Sequence, residues 1–375
     1  MILTLLLACG EPAEDCPQTS GTICTYAGTR IAGLGDEDVP ADESHLYLPQ
    51  DLTFGPDHRA YLLDWNNHRV RVINDDGTIS TVAGSGLLGD GPEGPALNAA
   101  FNHPTNIAFD PHGAMVIAAW HNSRVETVDL TTGELTFTCG DGERSYNGDE
   151  MPAEEAVLDL PSAVVFDSKG RLFISDQANQ LIRMIDTDGY IYDVAGQQRE
   201  EGYSGDGGLA SEAHLHASVG QAADPANRIA IADDIIYVAD TGNHVIRAIN
   251  LDTWIIDTIA GTRTCDDDGV CEGIAGFGGD GGDALSAGLN APTDIAVGRD
   301  GELYIADTSN SCVRVVYPDG TIDTAAGVCG EPGDAGDGGP ATEALLYRPY
   351  GVAVDRDNNL YIADTYNHVI RVVYQ

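Results

Sequence analysis

A β-rich unit repeats along the chain, and that repeat limits what the chain can fold into. One unit reads Pro49-Gln-Asp-Leu-Thr-Phe, then Ala60-Tyr-Leu-Leu-Asp64, then Arg69-Val-Arg-Val-Ile73, then Thr78-Ile-Ser-Thr-Val-Ala-Gly84. Each piece is a short β-rich run, and Gly55-Pro56 and Asp75-Asp76-Gly77 supply turns between them. The unit is therefore a four-stranded antiparallel meander. Its closing glycine recurs at Gly28, Gly84, Gly140, Gly196, Gly261 and Gly327, at spacings of 56, 56, 56, 65 and 66 residues. The two long spacings come from insertions, one over residues 219–226 and one around Cys265 and Cys271.

The two ends complete each other. Gly21-Thr-Ile-Cys-Thr-Tyr-Ala-Gly28 matches a fourth strand with no first three before it, and residues 349–374 supply three strands and stop. Joined, they make one blade. The fold class expected is all-β: a six-bladed β-propeller of four-stranded antiparallel blades, with the ring closed by the N-terminal strand in the last blade. Closure leaves no free sheet edge.

The motifs carry a specific resemblance. Leu303-Tyr-Ile-Ala-Asp-Thr308, Leu360-Tyr-Ile-Ala-Asp-Thr-Tyr-Asn-His-Val-Ile-Arg-Val372 and Gly336-Asp-Gly-Gly-Pro-Ala-Thr342 resemble the NHL-repeat propellers. The likeness is to their bacterial extracellular branch and to the teneurin propeller, and it spans residues 21–375. Fold alone does not supply function.

Repeated charges come next. Asp64, Asp176, Asp240, Asp307 and Asp364 end the second strand in five blades, each followed seven residues later by Arg71, Arg183, Arg247, Arg314 or Arg371. The remaining blade has Ala119 and Glu126. Loss of both partners together implies structural ion pairs, the aspartate accepting hydrogen bonds across the hairpin and the arginine neutralising it. The Gly-Asp-Gly loops, such as Gly205-Asp206-Gly207 and Gly279-Asp280-Gly281, precede an apolar anchor: Phe101, Leu158, Leu215, Leu289 or Leu346. One or two carboxylates per loop fall short of the six to eight oxygens calcium takes, so these loops read as structural crossovers.

Candidate chemistry is sparse. The residues at the channel mouth are Asp51, Asn106, Asp294 and Arg228. Resemblance to six-bladed lactonases implies a divalent metal, Ca2+ or another, held by Asp51, Asn106 and Asp294. Resemblance to the peptidylglycine-amidating lyase implies zinc-binding histidines just after the strand-opening proline, where this chain has Gln50, Thr105, Ser162, Thr293 and Tyr350. His68, His244 and His368 share one hairpin position and read as structural. His214 and His216 lack a third ligand. Trp65 and Trp120, at equivalent positions of blades one and two, are either exposed anchors of a binding patch or partly buried core.

The net charge of −42, from 18 Lys and Arg against 60 Asp and Glu, argues against nucleic acid, whose phosphates are bound by Lys and Arg. A partner with a basic patch would be steered in. Leu6-Leu7-Ala8-Cys9 resembles a bacterial lipobox with Cys9 lipidated, although the basic n-region and longer apolar stretch of that pattern are missing. Residues 1–20 are then a signal remnant and tether, and 21–375 the propeller. Of the seven further cysteines, Cys265 and Cys271 flank a short loop suited to a local disulfide. The other pairings stay open. The function expected is a non-catalytic, monomeric propeller of the bacterial cell envelope or exterior. It would bind a protein or glycan through its loop faces and touch membrane only through the lipid anchor. The alternative is a metal-dependent hydrolase of the lactonase kind.

Overall fold

The computed structural model describes residues 16–220, 223–266 and 271–375. Leu6, Leu7, Ala8 and Cys9 lie outside these residues, as do Asp267 and Asp268 of the inserted loop. Six antiparallel sheets radiate from a central channel, with 3-10 turns and no α-helix among the described residues. Blade one comprises Asp51–Phe54, Ala60–Asp64, Arg69–Ile73 and Thr78–Ala83, from the channel outward. In the last blade Ile23–Ala27 pairs with Val369–Val373, placing Ile23 opposite Val373 and Thr25 opposite Arg371. The ring closes as the two sequence fragments require.

Five blades carry one further outer strand of two residues, such as Val39–Pro40 against Thr78–Ala83, which the repeat did not reveal. A 3-10 turn follows, Ala41–Glu43 in blade one, and the anchor then enters the core. Leu46, Phe101, Leu158, Leu215, Leu289 and Leu346 are all fully buried. The core is accordingly six apolar clusters, one in each gap between adjacent blades, with a smaller seventh of Trp120, Leu160 and Ala178. The cluster between blades one and two joins Leu63, Val70 and Phe101 to Ile107 and Ile117. A sheet whose two faces are both covered needs apolar residues at every position. Ala60–Asp64 is buried along its whole length.

Every blade also has a register shift between its third and fourth strands, in blade one between Val70 and Arg71. The extra residue of such a bulge re-aims the neighbouring side chains. Here the extra residue lies on the fourth strand, Val82 in blade one, opposite the step from Val70 to Arg71.

Disulfides join Cys16 to Cys24, Cys265 to Cys271 and Cys312 to Cys329, while Cys139 is a buried free thiol. The first ties the segment just before residue 20 onto the closing strand. Three disulfides suit an oxidising, extracytoplasmic compartment.

Candidate functional site

The innermost strands all begin on one face, and the hairpins between second and third strands share it. Each inner strand is entered through a non-glycine residue with positive φ: Leu48, His103, Leu160, Asn227, Ala291 and Arg348, at 46–58°. Five of these stand directly before a proline. Such residues cost of order 1–3 kcal/mol each and persist only where surrounding contacts hold them. For four of the six the contacts come from the neighbouring blade, while Asn227 donates its N–H to Thr241 Oγ1 of its own blade. The Nδ1 atoms of His68, His244 and His368 accept the backbone N–H groups of His103, Ala291 and Leu48, and Ser311 Oγ accepts that of Arg348. The repeated histidines are therefore braces between blades. Burial lowers their pKa values, which keeps the accepting nitrogen unprotonated.

At the centre of this face the channel is closed by one arginine. Arg228 is fully buried, and its guanidinium donates to the carbonyl oxygens of Gln50, Thr105 and Tyr350 and to Gln50 Oε1, at 2.6–3.4 Å. Thr105 Oγ1 donates to the Ser162 carbonyl and Thr293 Oγ1 to that of Tyr350. Gln50, Thr105 and Tyr350, where the resemblance to the amidating lyase would place zinc histidines, thus hold a guanidinium, with Ser162 and Thr293 bonded at the rim.

The same arginine decides the expected metal site. It lies 3.6 Å from Asp294 and 4.0 Å from Asp51. Asp51 Oδ2 accepts from Asn106 Nδ2 and from the Ile107 N–H, Asn106 Oδ1 accepts the Val164 N–H, and Asp294 Oδ2 accepts the Val352 N–H. Each side chain braces its inner strand to the next. Burial raises both aspartate pKa values, that of Asp294 to about 7, against the opposing pull of Arg228. A divalent ion would need these oxygens free and would meet a fixed positive charge beside them. Asp51, Asn106 and Asp294 do not fit a metal, because Arg228 already supplies the cation. They line instead a cavity of about 440 Å³ that opens on the opposite face, walled by Phe54, Phe109, Phe166 and Ile231.

The repeated ion pairs are more elaborate than the sequence pattern implies. In the five regular blades the arginine stands 3.4–3.9 Å from the aspartate, both fully buried. Apart from Asp240, which also accepts from Arg247 Nη1, the aspartate takes its hydrogen bonds from elsewhere. Asp64 accepts from the Tyr47 N–H and from Asn67 Nδ2. Burial raises Asp64 to about 6 and Asp176, Asp307 and Asp364 to about 7. The closer partner of the arginine in three blades is the Gly-Asp-Gly aspartate: Arg247 pairs with Asp206, Arg314 with Asp280 and Arg371 with Asp337. The loops expected to be crossovers are thereby clamped to the third strand. Asn67, Asn179, Asn243, Asn310 and Asn367, each three residues after its aspartate, donate to that aspartate and to a loop carbonyl. Their spacing was legible in the sequence.

Blades one and two gather the aromatic and imidazole groups. Trp120 is 1 % exposed, so it is not an exposed anchor. Its Nε1 donates to Gln177, which in turn donates to the carbonyls of Ser218 and Asp224 in the inserted segment. The insertion lies over this tryptophan and reaches blade six, where Asp224 pairs with Arg348. Trp65 is half-buried against the same cluster. Trp120 stacks on His121 at 4.1 Å, and Trp65 lies tilted against His103 at 4.4 Å. Burial lowers both histidine pKa values to about 4. His214 and His216 instead face Glu200 and Glu201. Sequence reasoning missed His103 and His121, because they sit in different elements of blade two.

With this geometry in hand, the comparisons with known proteins are specific. A model of the NHL repeat matches residues 289–316 and 346–373, which are blades five and six. Teneurin-1 of Mus musculus is 26% identical over 387 residues, covering 95% of this chain and 13% of that protein. Teneurin-m of Drosophila melanogaster is 28% identical over 369 residues, covering 90% and 12%.

Two blades of this six-bladed propeller carry NHL repeats.

The chain spans about an eighth (13%) of the length of such teneurins. Among solved structures, an auxiliary nutrient binding protein of Bacteroides thetaiotaomicron superposes with a TM-score of 0.64 at 16% identity, over 93% of this chain and 75% of that one. A streptogramin B lyase gives 0.50 at 10% identity, over 93% and 96%. At these identities the likeness is one of fold.

Proposed function

We propose that this NHL propeller is an extracytoplasmic binding module that takes a protein or glycan partner on the face where the inner strands begin. The observation that carries the reading is the aromatic crescent across blades six, one and two. Tyr347 and Tyr47 are 40% and 36% exposed. Tyr366 lies 5.2 Å from Tyr347, and Arg348 sits over the Tyr366 and Tyr350 rings at 5.1 and 5.6 Å. Tyr, Trp and Arg held rigidly in one patch are the side chains that dominate binding energy at interfaces, and flat aromatic faces also suit sugar rings. The crescent sits on an acidic molecule, so a partner with basic groups is drawn in faster at low salt.

Bacterial origin and lipid attachment at Cys9 belong to the same proposal. They rest on the lipobox-like run and on the disulfides, which suit export. The metal-dependent hydrolase reading has no comparable support, since Arg228 stands against both carboxylates of the Asp51, Asn106 and Asp294 set it needs.

A photocrosslinker tests the face directly. Placed at Tyr347 it should capture a partner, whereas placed at Asp188, in an exposed hairpin on the opposite side, it should not. A Tyr347→Ala/Tyr366→Ala variant should keep its melting temperature within a few degrees and lose capture. Equal capture from both positions would overturn the assignment.

A further inference from the structure

We propose that His103 and His121, with the side-chain oxygen of Asn102, form a binding site for a borderline transition-metal ion such as Zn2+ or Cu2+ where blades one and two meet. The inference starts from distances. His103 Nδ1 lies 3.2 Å from His121 Nδ1 and 2.9 Å from Asn102 Oδ1. Two nitrogens bound to one tetrahedral Zn2+ at 2.0–2.1 Å stand about 3.3 Å apart, so this spacing is already that of a coordination edge. The second observation concerns protons. His103 Nε2 lies 3.3 Å from Asn66 Oδ1, and in the tautomer that donates to this oxygen Nδ1 keeps its lone pair. That lone pair then confronts a carbonyl oxygen and a second imidazole nitrogen. A single proton on His121 Nδ1 would satisfy one of these contacts and leave the other as two acceptors face to face. A cation in the gap satisfies all three donors at once.

The surroundings hold the rings in this arrangement. Trp120 stacks on His121 at an interplanar angle of 20°, Trp65 lies against His103, and His68 packs edge-on against His103 at 4.7 Å. The Asn66 contact is the outer-shell bond that metal-ligating histidines commonly make, since it fixes the tautomer and raises ligand basicity. Among the described residues no group of three or more His, Cys, Asp or Glu side chains is placed to hold a metal. The ion would therefore be held by two imidazoles and an amide oxygen, with its remaining positions open to water or to a donor from a partner. Imidazole donors suit Zn2+ and Cu2+, whereas Ca2+ and Mg2+ prefer oxygen. The site is independent of the partner reading, because it is tested with the metal alone.

Calorimetry with ZnCl2 on the tag-free, chelator-dialysed propeller should give one site per chain. Titration with CuCl2 should quench the fluorescence of Trp65 and Trp120. His103→Gln and His121→Gln should each weaken binding about tenfold or more, and Asn66→Asp should strengthen it about tenfold. Electron paramagnetic resonance of the Cu2+ form of the native protein should show two imidazole nitrogens, a readout that needs no variant to fold. Absence of one-to-one binding, or of imidazole couplings, would overturn the site. Unchanged affinity in the His103→Gln/His121→Gln double variant would do the same and would move the ion elsewhere, with His214 and His216 the next residues to change.

Discussion

Blade two and the other five blades are built on one pattern, but blade two lacks the aspartate–arginine pair that the others share. The regular blades bury an aspartate and an arginine together, as in Asp176 with Arg183 at 3.6 Å. Blade two has Ala119 and Glu126 in those places. The missing acceptor is replaced from the next element: Asn122 Oδ1 takes the Asn102 N–H, the role Asp64 plays for Tyr47. The missing cation is not replaced inside the gap, since Arg124 turns outward to Asp90. Glu126 is left 4 % exposed, and burial pushes its pKa up to about 7. The same blade carries His121 and the buried Trp120. Where the repeat relaxes its structural pairing, the less usual side chains collect.

The largest test breaks a regular pair. Arg183→Ala should cost about 3–5 kcal/mol, because it strands the Asp176 carboxylate in the interior. Denaturant unfolding measures it, and a loss below about 1 kcal/mol would mean that the pair is not a unit. Next comes Glu126→Gln. The folded pKa of Glu126 is raised, so its favourable contribution is full below its unfolded pKa near 4.5 and is lost as pH rises through about 7. The glutamine variant should match the native protein at pH 4 and exceed it by about 3 kcal/mol at pH 9. A difference that stays flat with pH would show that Glu126 is not the titrating group. The smallest effects compare the inter-blade braces. Gln180 Oε1 accepts the Ala217 N–H and its Nε2 donates to the Ala217 carbonyl, so Gln180→Ala should cost about 1–3 kcal/mol. Ser123, at the matching position of blade two, has a buried hydroxyl with no partner among the described residues. Ser123→Ala should therefore lie within about 0.5 kcal/mol of the native protein by thermal melt, on either side of zero.

Much of the fold was legible because propeller blades are local. Each four-stranded meander pairs residues close in sequence, so its turns and β-rich runs announce it, and the anchors Phe101 and Leu158 could be named as the residues entering the gaps. The short outer strands were not legible. Two residues such as Val39 and Pro40 carry no periodicity, and their pairing to Ile79 and Thr78 is set by the loop returning past the blade. The site was legible only in part. The aspartate–arginine spacing pointed to the pairs, and the disulfide loop was readable from Cys265 and Cys271. The role of the Gly-Asp-Gly aspartates as the closer arginine partners was not, because Asp337 and Arg371 belong to different elements.

What the sequence by itself determined is the architecture: a repeat that counts the blades, and two incomplete ends that match as one. What the tertiary structure alone decided is which distant groups meet at the centre and on the mouth. Arg228 reaches Gln50 across 178 residues, and it makes an apparent metal triad part of a hydrogen-bonded brace. The insertion crosses from blade four to Arg348 and buries Trp120 on its way. His103 and His121 come within 3.2 Å because the chain between them forms the inner hairpin and returns to the same face. The physical reason is common to all three. Ring closure fixes the relative positions of the blades, and side chains carried to the axis then interact according to charge and burial.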